Sequence, residues 1–110
     1  MYRCDYHTHS RLSPDSQAPL EAMAEAAVRS GLAELCVTDH YDLLGEDGAP
    51  AAPFDWAPAL EQYAPAAERF SGRLALKLGL ELGGAHLDRA RCAAIAACPD
   101  ADFIIGSLHN

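Results

Sequence analysis

Metal-ligand side chains recur at the carboxyl ends of short apolar segments in this sequence. They are His7, His9, His40, Glu81 and His109. Side chains two residues apart in a strand point to the same face, so His7 and His9 can bind one metal ion together. Imidazole and carboxylate groups suit divalent transition metals. The pattern therefore predicts a metal site whose ligands come from separate parts of the chain.

The segments that would position these ligands alternate between strand-like and helix-like runs. Predicted strands cover residues 2–9, 32–40, 74–82 and 103–109, and predicted helices cover residues 19–30, 56–70 and 87–97. This alternation predicts an α/β fold of order βαβαβαβ with a parallel sheet. Because catalytic residues collect at the carboxyl ends of parallel strands, we expect the ligands at one rim.

Single prolines and glycines refine the predicted helices. Pro19 suits the first turn of the first helix, and Gly31 suits its end. Pro65 lies inside the second predicted helix, where it removes a backbone donor. We therefore expect the second helix to be kinked or split.

Three acidic residues near the histidines are candidates for supporting or ligating roles. Counting back by two places Asp5 on the face of His7. Asp39 precedes His40 and is a candidate to orient its imidazole, although an aspartate there equally often caps a turn. Asp15 lies in a Ser-Pro-Asp turn that would form without any metal, because aspartate bonds its own backbone there.

Composition limits the classes of partner. The chain has 110 residues, half of them hydrophobic, which suffices for one core. Its 16 acidic and 8 basic side chains give a net charge of -8, which disfavours binding to nucleic acid or an anionic membrane. Bound divalent cations would offset much of that charge.

The sequence also predicts the compartment. No basic segment followed by an apolar run opens the chain, and no stretch approaches 18 apolar residues, so we expect a cytoplasmic protein. The four cysteines are too irregularly spaced for a disulfide framework or a structural zinc site. We expect small, buried, reduced thiols at Cys4, Cys36, Cys92 and Cys98.

Five short motifs follow one another in the sequence. They are D-Y-H-T-H-S at residues 5–10, S-P-D at 13–15, T-D-H at 38–40, G-L-E-L at 79–82 and I-G-S-L-H at 105–109. Together they resemble the PHP (polymerase and histidinol phosphatase) superfamily, and the first three look most like its histidinol-phosphatases. The resemblance implies a distorted seven-stranded (β/α) barrel, of which residues 1–110 would be the N-terminal half.

The same resemblance implies a ligand set for up to three divalent ions, which in this family are zinc, manganese or iron. His7 and His9 would bind one ion, Glu81 would bridge two, and His109 would bind the second. Asp15 and His40 would belong to a third site. The implied reaction is hydrolysis of a small phosphorylated substrate, L-histidinol phosphate, to L-histidinol and phosphate in histidine biosynthesis.

Barrels of this general kind take about 250 residues, so we expect a partial domain that lacks its C-terminal half. The family's remaining ligands and the basic residue that holds phosphate would lie there, and the isolated chain is expected to have little activity. Other interpretations stay open. They are an amidohydrolase or TatD-like nuclease, a PHP enzyme acting on nucleotides or nucleic-acid ends, and a PHP module without catalysis.

Overall fold

Within the described residues, four parallel strands and three helices alternate, as predicted. The computed structural model describes residues 2–10, 12, 19–44 and 47–107. The elements are β1 (Cys4–Thr8), α1 (Leu20–Arg29), β2 (Glu34–Asp42), α2 (Ala57–Arg69), β3 (Ala75–Gly83), a 3-10 turn (Ala85–Leu87), α3 (Arg89–Ala96) and β4 (Phe103–Ser107). The α/β class and the βαβαβαβ order are confirmed.

The strands form one sheet in the order β1-β2-β3-β4, with every neighbouring pair parallel. This half-barrel leaves β1 and β4 as the two edges of the sheet within the described residues. All carboxyl strand ends consequently lie at one rim, which is the arrangement that the sequence predicted. Among the described residues, none of the helices is long and apolar enough to cross a membrane.

The core lies between the helices and one face of the sheet. From β2 and β3 it takes alternate apolar side chains, which are 6% exposed or less. They are Leu35, Val37, Leu76, Leu78, Leu80 and Leu82. This period of two sends the intervening residues, among them His40 and Glu81, to the opposite face.

Helix α1 begins after Pro19 and is followed by Gly31, whose φ of +81° suits a residue beyond a helix end. Helix α2 is continuous through Pro65, so the predicted split is wrong. The carbonyl that loses its partner at Pro65 belongs to Glu61, and both residues are exposed, so water can replace the missing donor. Ala66 and Phe70, both fully buried, hold the helix against the core.

The pairing of β1 with β2 is irregular. Cys4 pairs with Glu34 and Asp5 with Leu35, but the next partners are Thr8 and Val37, so three steps along β1 match two along β2. A bulge of this kind interrupts the alternation of side chains. It falls immediately before the second histidine of the His-x-His motif.

The cysteines are free thiols, but they are not uniformly buried. Cys36 is buried, Cys92 and Cys98 are half-buried, and Cys4 is exposed. The expectation of burial is therefore wrong for Cys4. Burial raises the pKa of the Cys36 thiol to about 12, and nearby Asp102 adds to that effect. Cys36 is thus an inert packing residue rather than a nucleophile.

Candidate metal centre

Three predicted ligands converge at the carboxyl rim of the sheet. The imidazole Nε2 atoms of His7 and His9 lie 2.7 and 2.8 Å from Oε1 of Glu81. One ligand atom from each of the three residues lies within 4.8 Å of the other two. The sequence separation of more than 70 residues is closed by the parallel order of the strands, which brings the end of β1 and the end of β3 to one rim.

Glu81 is the buried member of the group. Its side chain is 5% exposed, whereas that of His7 is 59% exposed and that of His9 18% exposed. Burial alone would raise the pKa of the Glu81 carboxyl. Hydrogen bonds from both histidines and from Ser107, with the charge of nearby His40, outweigh burial and hold the pKa at about 2. The site therefore presents a permanent negative charge at neutral pH.

His40 lies beside this group on β2. Its ring stacks on that of His9, with 5.9 Å between centroids and an interplanar angle of 24°. Its Nε2 lies 2.9 Å from Oδ1 of Asp42, two residues along the same strand face. The side chain is 12% exposed. His40 is thus a neighbour of the three-residue group at the same rim.

Asp5 lies on a different face of β1 from His7. Asp5 is level with Leu35, which faces the core, whereas His7 contacts Glu81 on the other face. The bulge in β1 therefore separates Asp5 from the face that it was predicted to share. Its carboxylate instead accepts a hydrogen bond from the backbone N–H of His7.

Asp39 is 8% exposed and accepts hydrogen bonds from the backbone N–H and hydroxyl of Ser10. It therefore supports the segment that follows His9 as well as preceding His40. The predicted ligands Asp15 and His109 lie outside the described residues. The remaining histidine, His86, is exposed in the 3-10 turn.

The donor set fits a divalent transition metal. Two imidazoles and one carboxylate match the ligands that zinc accepts, and ligands about 2.0 Å from a tetrahedral zinc ion lie about 3.3 Å apart. The His7–Glu81 and His9–Glu81 distances are shorter than this by roughly half an ångström, because the imidazoles hydrogen-bond to the carboxylate. Small rotations of the His7 and His9 side chains would open both distances to that spacing.

The sequence profile of the PHP domain matches residues 5–110. The chain belongs to the PHP family. This match includes all five motifs, and within it the rim residues His7, His9, His40 and Glu81 have the positions described above.

Two curated relatives are similar along nearly the whole chain. A Deinococcus radiodurans protein named probable histidinol-phosphatase is 31% identical over 113 residues, which cover 96% of this chain and 42% of that protein. The histidinol-phosphatase of Lactococcus lactis is 28% identical over 114 residues, which cover 100% of this chain and 40% of that protein. The chain therefore spans about 40% of the length of these relatives.

Solved structures agree with the fold. The histidinol phosphate phosphatase of Lactococcus lactis, in complex with zinc, L-histidinol and phosphate, superposes with a TM-score of 0.79 at 28% identity. That match covers 98% of this chain and 40% of the other. A Listeria monocytogenes structure superposes with a TM-score of 0.77 over 97% of this chain and 45% of the other, at 20% identity, and bears on the fold alone.

Three residues that contact the PHP site were not assigned these roles from the sequence. Ser10 bonds Asp39, Thr38 Oγ1 accepts from the backbone N–H of Thr8, and Ser107 bonds Glu81. Each lies within or beside one of the five motifs, so closeness in sequence to a predicted ligand is the one feature that could have identified these residues. Their partners lie on neighbouring strands, which the motif spacing does not reveal.

Proposed function

We propose that this chain carries the N-terminal metal-binding part of a phosphomonoester hydrolase, and that L-histidinol phosphate is its substrate. The observation that carries the proposal is the convergence of His7, His9 and Glu81 at the carboxyl rim of a PHP half-barrel. The choice of substrate rests on the two relatives named histidinol-phosphatase and on the Lactococcus lactis complex with zinc, L-histidinol and phosphate.

We propose the ligand assignments that the family resemblance implies. His7 and His9 hold one ion, and Glu81, anionic down to a pH of about 2, is shared between two. His40 and Asp15 hold a third ion, and His109 binds the second. When bound, the divalent cations would neutralise phosphate oxygens and supply a hydroxide nucleophile near neutral pH.

The chain's own residues contribute orientation and access to this reaction. The exposed His7 leaves the site open to a substrate from the solvent side, while the buried Glu81 fixes the position of the negative charge. Asp5 and Asp39 support the backbone on either side of the His-x-His motif. The basic residue that would hold the phosphate is expected in the remainder of the barrel.

The test is phosphate release from L-histidinol phosphate with manganese or zinc added. The chain is assayed alone and mixed with the part of the Lactococcus lactis relative that the alignment leaves uncovered. We expect little release from the chain alone and metal-dependent release from the mixture. His9→Ala should abolish that release, while the exposed control Ser71→Ala should not change it.

Two results would contradict parts of the proposal. If phosphate were released from nucleoside monophosphates but not from L-histidinol phosphate, the proposed phosphoesterase activity would stand and the proposed substrate would be wrong. If the folded wild-type chain bound neither manganese nor zinc in equilibrium dialysis, both the proposed metal site and the proposed activity would be contradicted.

A further inference from the structure

Both neighbours of His9 in the sequence are tied by side chains to β2. The backbone N–H of Thr8 donates to Oγ1 of Thr38 over 3.1 Å. The backbone N–H and the hydroxyl of Ser10 donate to the two carboxylate oxygens of Asp39 over 2.5 and 2.7 Å. His9 is therefore held on both sides just after the bulge, where the strand ladder is irregular.

The bonds at Ser10 continue into helix α2. Nε2 of Gln62 donates to Oγ of Ser10 over 2.9 Å. Ser10 is fully buried, and Asp39 is 8% exposed. We call Ser10, Asp39 and Gln62 the Ser10 clamp, because they join three elements through one buried hydroxyl.

The Ser10 clamp contains an unfavourable feature. Oε1 of Gln62 is buried and has no hydrogen-bond partner among the residues that the structure describes. A buried acceptor without a partner typically costs about 1 to 3 kcal/mol. An apolar side chain of similar size would avoid that cost, but it would lose the hydrogen bond by which Nε2 of Gln62 links α2 to Ser10.

The clamp lies directly beneath two of the proposed ligands. His9 is bonded covalently to Ser10, and His40 is bonded covalently to Asp39, so the Ser10–Asp39 hydrogen bonds join the two backbones next to the imidazoles. The rings stack with 5.9 Å between centroids. Loss of the hydroxyl would leave one of the two Ser10–Asp39 bonds and would remove the bond from Gln62 of α2.

We propose that Ser10, held by Asp39 and Gln62, is a positioning residue that sets the distance between the His9 and His40 imidazoles, and with it the spacing of the metal ligands from β1 and β2. The inference rests on the proposed metal site but not on the identity of the substrate. It assigns Gln62, a residue of α2 outside the five motifs, a role at the site.

The test uses cobalt(II), whose visible absorption reports the ligand geometry. Ser10→Ala removes a support that acts on His9 and His40 through the backbone, so it should bind cobalt severalfold more weakly than wild type and should alter the absorption bands. Ser71→Ala, a matched change at an exposed turn residue, should match wild type in both. In the metal-free chain, the ring-proton NMR shifts of His9 and His40 should move in Ser10→Ala, while those of exposed His86 should stay.

Gln62→Leu gives the sharpest contrast. It removes the unpaired Oε1, so the free energy of unfolding should stay equal or rise, yet cobalt affinity should fall severalfold. A purely structural clamp would move stability and affinity in the same direction. The proposal is overturned if Ser10→Ala and Gln62→Leu both keep wild-type cobalt affinity, absorption and ring-proton shifts.

Failure of the proposed function would look different. If wild type binds cobalt through His9, and the clamp variants weaken that binding, the clamp stands even when no phosphate is released from L-histidinol phosphate. If phosphate release is observed and the variants bind cobalt as wild type does, the clamp fails alone.

Discussion

At the scale of single residues, Glu81 combines burial with a low pKa. Three hydrogen-bond donors surround a carboxylate that is 5% exposed, and the proposed metal would supply a counter-charge to it. Folding is opposed by burial of a charged carboxylate, whereas metal binding requires that charge. The metal-free protein keeps the carboxylate ionised and hydrogen-bonded, while the same atoms remain available to a cation at the rim.

The pKa of Glu81 predicts how the stability of the metal-free chain depends on pH. Because the folded-state pKa of about 2 lies below the ordinary value of 4.5, ionised Glu81 stabilises the fold above pH 4.5, and that contribution is lost as the pH falls toward 2. Glu81→Gln removes the titration. We expect the free energy of unfolding of wild type to be higher than that of Glu81→Gln by on the order of 2 kcal/mol at pH 5.5. This difference should shrink steadily below pH 4.5.

Urea unfolding in a metal chelator, from pH 5.5 to 2.5, measures this difference. The exposed Glu68 provides the control, since Glu68→Gln alters charge without removing a buried carboxylate. A wild-type-minus-Glu81→Gln difference that stays constant across this pH range would show that Glu81 has an ordinary pKa.

At the scale of the elements, the sheet depends on Gly79 for the close approach of its neighbours. A Cβ built at Gly79 would lie 2.3 Å from the carbonyl oxygen of Phe103, 3.0 Å from Cγ2 of Thr38 and 3.1 Å from Sγ of Cys36. The carbonyl is backbone, so it cannot rotate away. Gly79 thus lets β4 pack against β3 two residues before Glu81.

We expect Gly79→Ala to lower the free energy of unfolding by about 2 to 3 kcal/mol, because overpacking a sheet forces the backbone to shift. Gly72→Ala separates crowding from backbone strain, since Gly72 has a φ of +86° and no atom within 4 Å of its Cβ position. That control should cost about 1 kcal/mol. Chemical denaturation measures both; equal costs would mean that β4 accommodates a methyl group at Gly79.

The elements also show what the sequence could predict. Alternating leucines of 76–82 specified both the strand and its buried face, and the ends of β2 and β3 differ from prediction by only one or two residues. The bulge in β1 was not predictable, because it depends on pairing with β2 rather than on local sequence. Likewise, the continuity of α2 through Pro65 depends on which side of the helix meets water.

For the candidate site, the residue types and strand-end positions were sufficient to bring His7, His9 and Glu81 together. The supporting bonds were not. Asp39 was predicted to orient His40 or cap a turn, and it bonds Ser10, a contact that requires the two strands to be aligned in space. Sequence patterns specify which face a side chain occupies, but they do not specify its partner on the adjoining strand.

At the scale of the whole molecule, the chain is an acidic half-barrel that spans about 40% of the length of its curated relatives. Its rim carries the proposed ligands, and its net charge is -8. Cations can therefore act in two ways, by binding the His-x-His and Glu81 group specifically or by relieving general repulsion. Specific binding should depend on which cation is added, whereas relief of general repulsion should not.

Thermal unfolding with added cations distinguishes these effects. A ligand that binds only the folded state stabilises it by about 2.7 kcal/mol at a concentration of 100 times Kd, which should raise the midpoint of this 110-residue chain by roughly 10 °C. Manganese or cobalt should produce that rise in wild type and little in His9→Ala. Calcium, which prefers an all-oxygen site, should produce only the small rise expected from screening. An equal rise with calcium, or in His9→Ala, would mean that the acidic surface rather than the imidazole and carboxylate group binds the ions.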